Sequence, residues 1–187
     1  DHTENIFKYL RIPIFVKKTE LIDEILIKGQ KSFKAFQYKI PSDPSSCAFF
    51  IVLTLLSKNS ELKIKNVNIN DSRIGFIKVL NKMGAKIKMM NIKEKFGEKQ
   101  ADLYVKSQSK LKKINCSPKL SSNLIDEFLI IFLVAAKAKG ISSFFNLEEL
   151  NKKESPRLKL GSKLLTKIGI KNEMTKNTIK IFGNPNI

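Results

Sequence analysis

The chain has 187 residues, 42% of them hydrophobic, with 35 Lys and Arg against 17 Asp and Glu for a formal net charge of +18. That length and apolar content suit a globular chain of one large domain or parts of two. The charge invites a nucleic-acid partner, but many lysines stand singly (Lys63, Lys65, Lys78, Lys82, Lys86, Lys88) and Arg, which suits base readout best, occurs only at Arg11, Arg73 and Arg157. This distribution argues against nucleic acid, and a general Lys, Ile and Asn bias gives the same excess.

The start has no signal peptide pattern. It lacks an initiator Met and opens on Asp1-His2-Thr3-Glu4 directly before a helical pattern, as a segment of a longer protein would. The opening pattern predicts a helix over 2–10 and strands over 12–18, 23–28 and 33–39. Pro41-Ser42-Asp43-Pro44 follows, a Pro-bracketed polar turn of the kind found at domain crossovers. From there the chain repeats itself. The first copy reads as a buried helix (46–57), a strand (61–69), an amphipathic helix (73–83) and strands over 85–92 and 101–107. The second reads as a buried helix (124–138), a strand (141–147), an amphipathic helix (156–168) and strands over 170–175 and 177–182. Residues 1–41 are thus the tail of one domain, the last part of a repeat unit, and 42–187 are two repeat units of a second domain. The fold class is α/β.

Within this pattern the two apolar helices are expected to be the most buried elements, and their runs are too short to span a bilayer, so no membrane association is expected. Ser45 and Ser46 are expected to cap the first of them. Asp71 and Ser72 offer capping chemistry before the first amphipathic helix. Gly84 and Gly169 stand at natural C-cap positions. Ile74, Ile77, Leu80 and Met83 match Leu158, Gly161, Leu165 and Ile168 as one core-facing stripe each. Cys47 and Cys116, 69 residues apart, suggest neither a disulfide framework nor a metal site. Cys47 reads as a small buried apolar residue, and a reducing cytoplasm is the expected compartment.

The chemistry-bearing residues gather at two helix starts. Asp126, in Leu124-Ile125-Asp126-Glu127, precedes Glu154 of Lys153-Glu154-Ser155-Pro156-Arg157 by 28 residues. Ser155 reads as an N-cap and Pro156 as the first helical residue, which places Arg157 beside unpaired backbone N–H groups at the positive end of a helix, where phosphates and carboxylates bind. Ordinary capping is the alternative for each motif: Asn123 can cap the helix that holds Asp126, with an acidic residue three positions on.

Asp1-His2-Thr3-Glu4, Tyr38 to Ser46, Asn66 to Asn70, Arg73-Ile74-Gly75, Met83-Gly84-Ala85, Ile125-Asp126-Glu127 and Lys153-Glu154-Ser155 together resemble, in order and spacing, the 5-enolpyruvylshikimate-3-phosphate synthase family. The resemblance covers essentially all 187 residues, as the middle and later part of a chain more than twice as long. It implies a two-domain enolpyruvyl-transferase-like architecture, an inside-out α/β barrel incomplete here, with strand-helix-strand-helix-strand-strand units whose helix N-termini converge on the interdomain cleft. It also implies transfer of the enolpyruvyl group of phosphoenolpyruvate to the 5-hydroxyl of shikimate 3-phosphate, with release of phosphate and with no metal or organic cofactor. By position, Asp126 matches the residue that deprotonates the 5-hydroxyl and Glu154 the one implicated in protonating the methylene carbon. Lys153 matches a shikimate 3-phosphate contact, Arg157 a phosphoenolpyruvate clamp, and His2 a residue near the shikimate ring. The related transfer to a UDP-amino sugar shares the fold, but the Lys-Glu-Ser motif favours the shikimate enzyme.

Where the family usually reads Leu-Arg-Val-Lys-Glu-Ser-Asp-Arg, this chain has Leu150-Asn151-Lys152-Lys153-Glu154-Ser155-Pro156-Arg157. Leu10-Arg11 replaces a usual Phe-Gly, and Leu129 a usual Pro. The family's phosphoenolpyruvate-binding Lys, Gly-rich loop, Ser-Ser-Gln motif and C-terminal Arg and Lys belong to other segments, so the 187 residues alone are expected to be inactive. The full-length protein is expected to be a monomer.

Overall fold

Helices that are apolar all round must be covered by other elements, and two of them organise this chain. The computed structural model describes all residues except 20, 21, 30, 31, 33 and 109 and the side chains of 119 and 122. Helix α1 (His2–Tyr9) leads into an antiparallel hairpin of β1 (Ile14–Lys18) and β2 (Asp23–Ile27), with Ile14 opposite Ile27. The strand expected over 33–39 does not form: residues 34–39 pair with no strand, and residue 33 lies outside the described residues. Phe36 and Tyr38 pack instead with Tyr9 and Phe96, the Tyr38 and Phe96 rings 4.8 Å apart, so aromatic contact replaces sheet pairing.

The first unit runs α2 (Pro44–Leu56), β3 (Glu61–Asn68), α3 (Gly75–Lys82), β4 (Lys88–Lys95) and β5 (Glu98–Lys106), with antiparallel sheet order β3-β5-β4. Ser42 adds a parallel bridge to Val67, so the crossover segment supplies the unit's first strand position. The second unit runs β6 (Asn115–Cys116), the short helix α4 (Pro118–Ser121), α5 (Phe128–Lys137), β7 (Gly140–Phe144), α6 (Arg157–Lys167), β8 (Asn172–Met174) and β9 (Ile179–Gly183). Its sheet order is β6-β7-β9-β8, with β6 parallel to β7 and the rest antiparallel. The order β7-β9-β8 repeats β3-β5-β4, which is the duplication expected from sequence.

Both amphipathic helices end alike. Gly84 and Gly169 take positive φ values of 97° and 80°. The following residues, Ala85 and Ile170, donate to Leu80 and Leu165, while the glycines donate to Asn81 and Thr166, the paired 6→1 and 5→2 bonds of a Schellman end. The helix starts depart from expectation. Asp43 caps α2 by accepting from the Ser46 amide at 2.7 Å, with Pro44 in its first turn, so neither Ser45 nor Ser46 is the cap. Helix α3 begins at Gly75 after an uncapped Ile74, and Asn70 Oδ1 takes the Ser72 amide at 3.0 Å. Helix α5 begins at Phe128, not 124. A 3₁₀ turn (Ser122–Leu124) precedes it, and Asn123 does not cap it.

One core of buried residues joins both units. Helix α5 is buried as expected, with Phe128 and Phe132 packed on Phe144 of β7 at ring separations of 6.0 and 5.2 Å. Helix α2 is not: Ala48, Ile51, Val52 and Leu55 are buried, but Phe49, Phe50 and Leu53 are 62%, 59% and 65% exposed. The two units present cover only one side of it. The stripe of α3 is buried throughout, whereas on α6 Ile168, past the last helical turn, is exposed. Among the described residues no helix is long and apolar enough to cross a membrane.

Candidate active site

Asp126 and Glu127 sit on the turn that starts α5, and Lys153 to Arg157 lead into α6, which packs on α5. Packing of one helix on the other brings their N-termini together. Arg157 Nη1 donates to Asp126 Oδ1 and Nη2 to Glu154 Oε2, both at 2.9 Å. Lys153 Nζ lies 3.9 Å from Asp126 Oδ1 and 3.8 Å from Glu149 Oε1. Four of the five residues singled out by sequence therefore form one cluster, with a guanidinium between two carboxylates. Asp126 is 53% exposed, open to a ligand. A hydrogen bond from its own backbone N–H, and then Arg157, hold the Glu154 carboxyl below the usual range.

The local capping differs from the expected Ser155 and Pro156 arrangement. Pro156 occupies the cap position with ψ 74°, and Arg157 is the first helical residue. Asn151 Oδ1 accepts the Lys159 amide at 3.3 Å, doing from eight residues upstream what a Ser cap does from three. Sequence offered a cue for this in the Asn at the end of a short acidic segment, but not its reach.

His2 lies elsewhere. Its Nδ1 is 2.8 Å from Oε1 of Glu98 in β5, and it lines a cleft of about 360 Å³ with Tyr38, Ser42, Asp43, Asn68 and Arg73. Glu98 is only 3% exposed. Burial works to raise its carboxyl, but hydrogen bonds from Asn5, His2 and Asn68 together hold it below the usual range. Arg73 Nη2 donates to Asp43 Oδ1 at 3.0 Å and to Ser45 Oγ at 3.1 Å. The Arg73 and Asp43 pair is the first unit's counterpart of Arg157 and Asp126, each joining an amphipathic helix entrance to a buried helix N-terminus. Asp43, however, is spent on capping, whereas among the described residues the side-chain partners of Asp126 are the cations Arg157 and Lys153. Glu98 and Glu127 are both buried carboxyls beside these clusters; Glu98 has no recognisable signal in sequence, and Glu127 stands out there only as a member of the Ile125-Asp126-Glu127 motif.

Among the described residues no group of three or more His, Cys, Asp or Glu is placed to hold a metal ion. Both cysteines are free and buried, and burial, helped by the Asp43 charge, pushes the Cys47 thiol up to about 11, which removes it from nucleophilic chemistry at neutral pH.

A family profile described as EPSP synthase (3-phosphoshikimate 1-carboxyvinyltransferase) matches residues 1–186. A 3-phosphoshikimate 1-carboxyvinyltransferase of Thermodesulfovibrio yellowstonii is 38% identical over 183 residues, covering 98% of this chain and 42% of the relative. The solved EPSP synthase of Acinetobacter baumannii superposes with a TM-score of 0.89 at 33% identity, over 98% of this chain and 40% of that one. The enolpyruvyl transferase NikO of Streptomyces tendae, at 13% identity and a TM-score of 0.55 over 78% of this chain and 31% of its own, shares the fold alone. The chain thus spans about two fifths of the length of the relatives it matches.

Proposed function

The chain belongs to the EPSP synthase family, and from that premise we propose that the protein it forms part of transfers the enolpyruvyl group of phosphoenolpyruvate to the 5-hydroxyl of shikimate 3-phosphate, releasing phosphate. The observation that carries this reading is the bridged pair: Asp126 and Glu154 each lie 2.9 Å from one guanidinium. The reaction forms a bond from the hydroxyl oxygen to C2 of phosphoenolpyruvate and breaks the bond from C2 to the phosphate oxygen. The hydroxyl proton needs an acceptor, and the methylene carbon must gain a proton and later lose one. Asp126 is the acceptor. Glu154, held low by its own amide and Arg157, is a carboxylate at neutral pH in this chain. It becomes the donor when an anionic substrate takes Arg157 for itself and adds negative charge beside it, since both changes favour the protonated form. Arg157 suits that exchange, because its planar fork fits a carboxylate or phosphate bidentately. Lys153 contacts shikimate 3-phosphate, and His2 approaches its ring from the cleft it shares with Arg73 and Asn68.

In this reading residues 1–41 close one domain and 42–187 form two units of the other. That division is supported by separate sheets and by the Ser42 crossover, whose amide and carbonyl pair with Asn66 and Asn68 of β3. The full-length protein works as a cytoplasmic monomer without a cofactor, and the 187-residue chain alone is inactive. In the full-length protein, Asp126→Ala and Glu154→Ala should each lower turnover by about a hundredfold or more, and Arg157→Ala should chiefly raise KM for phosphoenolpyruvate. Steady-state kinetics decides: both carboxylate variants retaining turnover while melting earlier would leave these residues as helix caps and remove the catalytic assignment.

A further inference from the structure

Glu98 has no part in the chemistry above, yet both of its carboxyl oxygens are met by directed donors. Backbone amides can only donate, and two of them set the direction. The Ser72 amide donates to Asn70 Oδ1 at 3.0 Å, and the Asn70 amide to Asn68 Oδ1 at 2.8 Å. Each Asn therefore presents its Nδ2 to other partners. Asn68 Nδ2 donates to Glu98 Oε2 at 3.0 Å, and Asn70 Nδ2 approaches the same oxygen to 3.4 Å while donating to Asp1 Oδ1 at 2.7 Å. The other oxygen, Oε1, accepts from Asn5 Nδ2 at 3.0 Å and lies 2.8 Å from His2 Nδ1. These bonds outweigh burial and hold the carboxyl below the usual range, so Glu98 is a carboxylate at neutral pH and can only accept. The hydrogen between Glu98 and His2 thus belongs to Nδ1. A neutral imidazole with Nδ1–H has Nε2 as an acceptor, and among the described residues Nε2 has no hydrogen-bond partner. The His2 side chain is 44% exposed, on the cleft it lines with Tyr38, Asn68 and Arg73.

We propose that Glu98 is a positioning residue: it holds the His2 ring in the Nδ1–H form and so keeps Nε2 as the acceptor for a hydroxyl of shikimate 3-phosphate. This rests on the substrate contact given to His2 above. His2 opens the first turn of α1 with its ring half in solvent, and nothing in its own helix fixes that ring. Without a partner an imidazole exchanges between two tautomers and two ring orientations, and only some of these present an acceptor to the cleft. Glu98 removes the choice. It stands in β5, the central strand of the first unit's sheet, and its Asn partners are themselves oriented by backbone amides. Side chains locked in this way by a supporting layer of hydrogen bonds hold a binding group to the accuracy that recognition needs.

The test uses the full-length protein with His2→Ala, Glu98→Gln and the double variant His2→Ala/Glu98→Gln. Gln keeps the size of Glu but has one acceptor oxygen, which the Asn68 and Asn70 donors claim. Its amide N–H then faces Nδ1, which must accept and leave the ring hydrogen on Nε2. In ¹⁵N spectra, with the His2 signal identified by its loss in His2→Ala, the unaltered protein should show the Nδ1–H tautomer and Glu98→Gln the Nε2–H tautomer. His2→Ala and Glu98→Gln should each raise KM for shikimate 3-phosphate about 3- to 10-fold, the scale of one neutral hydrogen bond, and KM for phosphoenolpyruvate less than about twofold. The double variant should match His2→Ala, since Glu98 acts on the substrate only through the ring. An Nε2–H signal in the unaltered protein, an unchanged KM for shikimate 3-phosphate in His2→Ala or Glu98→Gln, or a Glu98→Gln effect that persists undiminished in the His2→Ala background would overturn the proposal. Should Glu98→Gln not fold, the tautomer of the unaltered protein and the KM of His2→Ala decide by the same outcomes. If the full-length protein turns over no shikimate 3-phosphate, the functional reading fails first and takes this substrate contact with it. If it turns over shikimate 3-phosphate and Glu98→Gln binds it as well as the unaltered protein does, this inference alone fails.

Discussion

A carboxylate as buried as Glu98 keeps its charge only because its surroundings are built for it. Asn5 and Asn68 each donate to it at 3.0 Å, His2 Nδ1 lies at 2.8 Å, and Asn70, which also holds Asp1, approaches to 3.4 Å. These partners come from α1 and from the end of β3, so one side chain fastens α1 to the first unit. Glu98→Ala strands buried amides without an acceptor, and a loss of about 1–3 kcal/mol is expected, visible as a lower Tm and faster amide exchange in α1. The folded carboxyl lies below its ordinary value, so its contribution is complete above the ordinary Glu value of about 4.3. It fades as pH falls through the lower folded value. Loss of α1 protection between pH 7 and 5 would contradict this assignment. Residues of this kind were illegible in sequence because their partners lie 28 to 96 positions away. Asp126, Glu154 and Arg157 stand out in sequence because each lies close to a helix start, although neither start has the cap that its local sequence offers.

Periodicity and punctuation are local properties, and at the scale of elements they read out well: both units, their order and their glycine ends follow from them. What they cannot express is which neighbour covers a face. Helix α2 is apolar all round, yet Phe49 is exposed and Ile51 fully buried. Ile51→Ala should cost about 2–5 kcal/mol, and Phe49→Ser less than about 0.5 kcal/mol, a contrast that denaturant unfolding measures directly. Close approach between elements is equally invisible until the units are assembled. Gly75, read only as part of a motif, starts α3 against the 3₁₀ turn of the second unit, where a Cβ would overlap the Asn123 carbonyl and meet Asn123 Cβ at 2.8 Å. Backbone atoms cannot swing aside, so Gly75→Ala should destabilise by about 1–3 kcal/mol and disturb the turn leading to Asp126. A Gly75→Ala protein with unchanged Tm would mean that the two units are not packed this closely.

The scatter of lysines along the sequence does not survive folding. Lys58, Lys110, Lys112, Lys113, Lys137 and Lys139 surround two adjacent hollows that share Leu111 and Pro185, and among the described residues none of the six has a carboxylate within 4.0 Å. The linings hold no Arg and no aromatic ring, the groups that read or stack bases, so the arrangement does not restore a nucleic-acid reading. Part of it has a local cause: Lys58 follows the end of α2 and Lys137 lies in the last turn of α5, where the helix dipole favours cations. Lys139 follows α5 as Lys58 follows α2, two residues past the last helical one, so Lys110, Lys112 and Lys113 are the ones that lack such compensation, and they repel one another. Repulsion between exposed charges is screened over a Debye length of about 8 Å at physiological salt, so added salt should stabilise the protein. Reversing one uncompensated charge with Lys112→Glu should gain up to about 1 kcal/mol, or roughly 2–4 °C in Tm for a chain of this size, and should flatten the salt dependence. Lys137→Glu should gain less or lose stability, because it sets an anion at a helix C-terminus. Melting curves of the three proteins at low and high salt test the assignment. Equal behaviour of the Lys112 and Lys137 variants would show that the helix ends, and not mutual repulsion, govern this face.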